Sequence, residues 1–162
     1  MSMISNSIKI SFLILVLFVP PMNGLCQKKG LSFSEAAKIG ITIQHLDSIY
    51  LSGLHVDSLK AVFSSTLFDT VQKSYIYTIK QFSKYLSSKG FKWEKGTRCF
   101  NKIYFSAQGE IDYFLFNFAP GQIEQNKEIE FERLLNEFIK SYKFPLSGKN
   151  GFSLCSSVMY AD

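Results

Sequence analysis

Two residue types that carry much of enzymatic and nucleic-acid chemistry are scarce in this chain. Of its 162 residues only two are histidine, His45 and His55, and only two are arginine, Arg98 and Arg133. Metal sites built on one helix place ligands three or four residues apart. Neither histidine has such a partner, and Asp47, two residues after His45, points elsewhere on a helix. Arginine is the preferred fork for phosphate and guanine, so nucleic acid is disfavoured as a partner. No Gly-x-Ser-x-Gly elbow, phosphate-cradling glycine loop or closely spaced cysteine pair occurs. Ser153, Ser156 and Ser157 flank Cys155, but a nucleophile there needs a base that the spacing does not supply. Glu110 and Asp112 share one face of an expected strand, where a solvated hairpin edge explains them without acid–base work. No catalytic, cofactor-binding or metal-ligating residue is therefore assigned.

Proline is also scarce: beyond Pro20 and Pro21 there are only Pro120 and Pro145, so no proline-rich spacer exists. A membrane-length apolar run is missing too. Residues 10–19 are apolar except Ser11, about half of the roughly 20 residues a spanning helix needs. Lys9 precedes that run, the two prolines end it, and small residues stand at Gly24 and Cys26. This order is that of a secretory signal peptide covering residues 1–26. The expected destination is a periplasm or the extracellular space, with no span left after cleavage. Lipid attachment at Cys26 is disfavoured, because Asn23 and Leu25 reverse the aliphatic and small positions a lipoprotein signal wants.

Three cysteines occur, and only Cys99 and Cys155 follow the expected cut. An exported even pair is a candidate disulfide, and closing that loop would stabilise by roughly 4 kcal/mol. Two free buried thiols are the alternative.

Aromatics, by contrast, are abundant: sixteen Phe and eight Tyr in a chain that is 46% hydrophobic. Such a composition supports one folded domain over residues 27–162. Residues 27–90 read as mainly helical, and 91–162 as strand, strand, helix, strand. Residues 27–30 look like a frayed start. Ser32 and Glu35 then match a capping box, and a broken helix or two short ones extend to Gly53, interrupted at Gly40. A clear amphipathic helix follows, with Phe68, Val71, Tyr75, Ile79, Phe82 and Leu86 on one face and Lys89-Gly90 at its end. Lys73, Lys80 and Lys84 form a stripe opposite. Eight basic residues between positions 73 and 102 face Glu94 alone, which makes the stripe a speculative polyanion face; a solvated helix surface explains it more simply.

After Trp93 the apolar period becomes two. Thr97–Phe105 and Ile111–Phe118 flank a glycine turn and read as a hairpin whose second strand, apolar on both faces, is interior. A helix over about 126–143 buries Phe131, Leu134, Leu135, Phe138 and Tyr142, with its acidic start and basic end complementing the macrodipole. Phe152–Tyr160 closes the domain as a last strand. Trp93 itself reads as a core anchor of the helix-to-sheet connector, with a speculative aromatic contact to a ligand as the alternative. The expected class is α+β: N-terminal helices, then a small antiparallel-rich sheet.

The hairpin turn ending Gln108-Gly109-Glu110-Ile111, the helix ending Tyr142-Lys143-Phe144-Pro145 and the closing strand follow one another in an order that resembles the C-terminal domain of TonB-type energy transducers. The likeness covers residues 98–160. It implies a module that binds extended peptides at a sheet edge. The retained anchor and proline-rich spacer of that family have no counterpart here.

The functional expectation is an exported, non-catalytic binding or interaction protein, with a protein or peptide at a sheet edge as partner. One alternative is a small-ligand protein with a cavity lined by Tyr104, Phe114 or Phe116. The other is an exported hydrolase, which would require His45 or His55 to approach a Ser, Cys or carboxylate.

Overall fold

The computed structural model describes residues 28–162; the expected signal segment lies outside the described residues. The chain runs β1 (Lys29–Ser32), α1 (Phe33–Lys38), α2 (Ile43–Ile49), β2 (Leu51–Ser52), α3 (Phe68–Ser88), β3 (Thr97–Phe105), β4 (Ile111–Phe118), α4 (Gln125–Ser141) and β5 (Phe152–Tyr160). The strands form one sheet in the order β1-β4-β3-β5-β2. The α+β class holds, with two amendments. A strand, not a helix, leads, and the antiparallel centre β4-β3-β5 is flanked by parallel partners, β1 on β4 and β2 on β5.

Local chemistry accounts for the element ends. The Ser32 hydroxyl accepts from the Glu35 amide and starts α1, and the Thr42 hydroxyl does the same for α2 through His45. Gly40, at φ 78°, makes the break between them. No side chain caps the start of α3; Ser64 caps the short turn leading into it. Gly109, at φ 84°, closes the β3–β4 turn, and its carbonyl accepts from the Phe144 amide (2.8 Å), tying the turn to the chain leaving α4.

Side-chain alternation sorts residues onto two cores. Cys99, Asn101, Ile103 and Phe105 of β3 face α3 and α4, together with Phe114, Phe116 and Phe118 of β4. Tyr104 and Leu115 face α1 and α2. A register irregularity between Tyr104 and Phe105 carries Ile111 to the α3/α4 side, away from the Tyr113 and Leu115 face where strict alternation put it. From α3, Val71, Tyr75, Ile79, Phe82 and Leu86 are buried as expected, and Phe131, Leu134, Leu135 and Phe138 of α4 meet them and the hairpin. Phe131 alone makes ring contacts with Phe82, Phe91, Trp93, Phe116, Phe118 and Tyr160. Phe68 departs from the expected face: it stands half in solvent, for a reason taken up below.

Candidate functional site

The expected disulfide is corrected by the sheet register. Cys99 sits opposite Val158, and Cys155 opposite Lys102, three positions along β5. An odd offset puts the two side chains on opposite faces of the sheet, so both are free thiols. Cys99 is buried beside Asn101, whose amide reaches the Tyr160 hydroxyl (2.9 Å), and burial pushes the Cys99 thiol up to about 12. Cys155 is exposed.

The edges of the sheet hold the informative geometry. β2 is only two residues long and pairs with Phe152 and Ser153. Leu51 donates its amide to the Gly151 carbonyl and Gly53 to the Ser153 carbonyl (2.8 Å). Residues 151 and 153 therefore turn their backbone groups away from β3. Because backbone direction alternates along a strand, Cys155, Ser157 and Met159 do so as well. Among the described residues no strand pairs with 154–160 on that side. The pairing of β5 with β3, from Thr97↔Tyr160 to Phe105↔Phe152, is unbroken. The free edge is thus straight, carries neither charge nor proline, and has no bulge. Those are the features by which sheet edges are usually blunted.

Beside this edge runs a groove of about 580 Å³, walled by α3 and floored by β5. Val71, Tyr75 and Ile79 form its inner wall, with Leu154, Ser156 and Val158 below. The Ser156 hydroxyl donates to that of Tyr75 (3.0 Å), and burial pushes the Tyr75 phenol up to about 12. Its lip is apolar and wet: Phe68 is 51% exposed and Ile76 45%. Phe68 is exposed because it stands at this lip. Sequence periodicity identified the wall residues as core, which they are, but could not show that a groove opens beside them.

On the opposite face of β5 lies a second depression of about 500 Å³ that shares Leu54, Leu154 and Cys155 with the groove. Its lining mixes the polar side chains Asp47, Tyr50, His55, Lys60, Lys102 and Ser153 with Leu51, Leu54 and Leu154. Asp47 accepts from Lys102 Nζ (2.7 Å) and from the Tyr104 hydroxyl (3.0 Å). Burial first, and Asp47 second, hold the Tyr104 phenol far above the usual tyrosine range. Tyr50 donates to buried Asp112 (2.9 Å).

The remaining sequence candidates fall as follows. Trp93 is buried and stacks on Tyr160 at 5.0 Å and 11°, the geometry of an anchor. Lys73, Lys80 and Lys84 are all exposed. Lys80 turns toward the groove, while Lys84 lines a shallow hollow on the α4 side with Ser88 and Tyr142. His45 is exposed on α2. His55 shares the polar depression with Cys155 and Ser153, but its Nδ1 accepts from the Asp57 amide (2.9 Å). Glu110 is exposed and pairs with Lys28 (3.5 Å), whereas Asp112 is buried, so they form no joint site. Tyr104, Phe114 and Phe116 are fully buried in packed clusters, which fills the space a cavity would need.

No family model matches the chain, and no curated protein or solved structure matches it significantly.

Proposed function

We propose that this protein is an exported, non-catalytic binding module that takes an extended segment of another protein as a sixth strand along residues 154–160. The observation that carries this reading is the row of outward backbone groups at Cys155, Ser157 and Met159 beside an open apolar groove. Strand addition uses such groups for affinity and the flanking walls for selection of alternate side chains. Three outward residues offer six main-chain hydrogen bonds, each contributing about 1 kcal/mol net. Ordering a flexible segment offsets much of that sum, so the groove's apolar burial must supply the remainder. The resemblance of residues 98–160 to TonB C-terminal domains is in keeping with an edge-binding role. Export follows from the signal-like order of residues 1–26.

The test is selection from a displayed random-peptide library on the wild type and on Ser157→Pro. Proline removes the outward amide at position 157 and leaves the ladder to β3 intact, since the Ser157 amide points away from β3. Peptides enriched on the wild type should be extended, rich in β-branched residues and lost on the variant. Enrichment indifferent to Ser157→Pro, or none at all, would overturn the reading.

A further inference from the structure

Resting on that reading, we infer that the recognised segment is acidic and alternately apolar, with apolar side chains turned under α3 and carboxylates on the opposite face. Successive residues of an added strand point to opposite sides of the sheet, and the two sides of β5 differ in the charged side chains beside them. Under α3 the added strand meets the exposed Phe68 and Ile76, which select apolar side chains. On the other face it meets the depression holding Lys60, His55, Lys102 and Asp47. β5 itself contributes no charge between them.

The charges flanking the free edge are unbalanced. Lys80, the one charged residue lining the groove among the described residues, stands on the α3 side and does not face the carboxylates. Across the strand, Lys60 and Lys102 stand against Asp47, and Asp47 is already engaged by both Lys102 and Tyr104. The Lys60 ammonium reaches Asp57 only at 4.0 Å. An incoming carboxylate is therefore complemented and an incoming lysine repelled. The same imbalance argues against a second copy of this chain. Pairing β5 with its own two-fold mate would bring Lys80 and Lys60 toward their equivalents, and β5 has no acidic residue to answer them.

The probes are three capped hexapeptides in calorimetric titration at low and at 0.5 M salt. One alternates Glu and Val, one alternates Ser and Val, and one has the first peptide's composition in two blocks. The Glu–Val alternating peptide should bind about fivefold tighter than the Ser–Val one at low salt, as expected for two partly exposed charge pairs. That advantage should collapse at high salt and in Lys60→Gln/Lys102→Gln. The block peptide should bind no better than the Ser–Val one, and Ser157→Pro should abolish all binding. Equal affinity for both alternating peptides, with both lost on Ser157→Pro, overturns the acidic preference and leaves the strand site standing. Binding of the block peptide as tight as its alternating counterpart overturns the two-faced register. No binding by either alternating peptide, or binding indifferent to Ser157→Pro, overturns the strand site itself. Concentration-dependent dimerisation that Ser157→Pro prevents makes a second copy the occupant and overturns the inference.

Discussion

Gly30 on β1 and Ser157 on β5 each turn backbone groups away from the same sheet, and only the first is answered. The Asn136 side chain of α4 accepts from the Gly30 amide (2.9 Å) and donates to the Gly30 carbonyl (2.7 Å), standing in for a neighbouring strand. Two residues on, the Ser32 amide donates to the Glu132 carboxylate. The seal is close-fitting: a Cβ on Gly30 would lie 2.7 Å from Leu135. At β5 nothing comparable exists among the described residues, although that strand is more than twice as long. The physical difference is access to water. Under α4 an unpaired amide is removed from solvent and costs about 1–3 kcal/mol, whereas beside the open groove water satisfies it. An edge closed by its own helix belongs to the fold; an edge left to water is available to a partner.

The comparison can be broken most forcefully through α4, which carries the seal. Phe131→Ala removes the ring on which six other aromatics converge and should cost about 3–5 kcal/mol, read as a large drop in thermal midpoint. A variant melting like the parent would detach α4 from the sheet core. Next in size is a proline pair on β5. Val158 directs its backbone groups toward β3, so Val158→Pro should cost about 3 kcal/mol or more. Ser157→Pro, one residue earlier, should stay within about 1 kcal/mol of the parent. Equal destabilisation of the two in chemical denaturation would mean that both sides of β5 are engaged.

Most of the element order was legible in the sequence, because long periodic segments declare themselves. The hairpin bounds at Thr97, Phe105, Ile111 and Phe118, the closing strand, and the buried faces of α3 and α4 apart from their end residues Phe68 and Tyr142 all follow from spacing alone. What failed was short or relational. Residues 27–30 read as a frayed start because Lys29-Gly30-Leu31-Ser32 has too few alternations to show a strand. β2, at two residues, is shorter still. The disulfide failed because parity between Cys99 and Cys155 depends on the β3–β5 register, which spacing along the chain does not encode. The candidate site was legible only as a possibility. That β4 is interior follows from its two apolar faces, but which strand keeps a free side depends on strand order. Asn136, read from sequence, is just one polar residue on a helix; its role appears only once β1 lies beneath it.

A smaller effect is expected from opening the closed edge directly. Asn136→Ala leaves both Gly30 groups without partners and should destabilise by about 2 kcal/mol, a hydrogen-bonding loss partly recovered if water enters. Hydrogen exchange sharpens this: the Gly30 amide should pass from protected to fast, approaching the rate expected of the Ser157 amide in the parent. If Gly30 stays protected in the variant, α4 seals the edge by coverage alone and the side-chain mimicry is incidental.

The smallest effect is one of sign. Burial raises the Glu132 carboxyl above its usual range, opposed by the Ser32 amide and reinforced by Glu35 and Glu128. A carboxyl whose folded pKa exceeds its unfolded value binds more protons in the native state. Its contribution to stability is therefore present at low pH and is lost as pH rises through the folded pKa. Glu132→Gln keeps an acceptor for the Ser32 amide and removes the titration. The melting difference between variant and parent should accordingly move in the variant's favour from about pH 4 to pH 7. The opposite drift, with the parent gaining over the variant as pH rises, would mean that the charged form is what holds Ser32. The closed edge would then depend on an ionic hydrogen bond, and acid would loosen β1, making the two edges more alike at low pH.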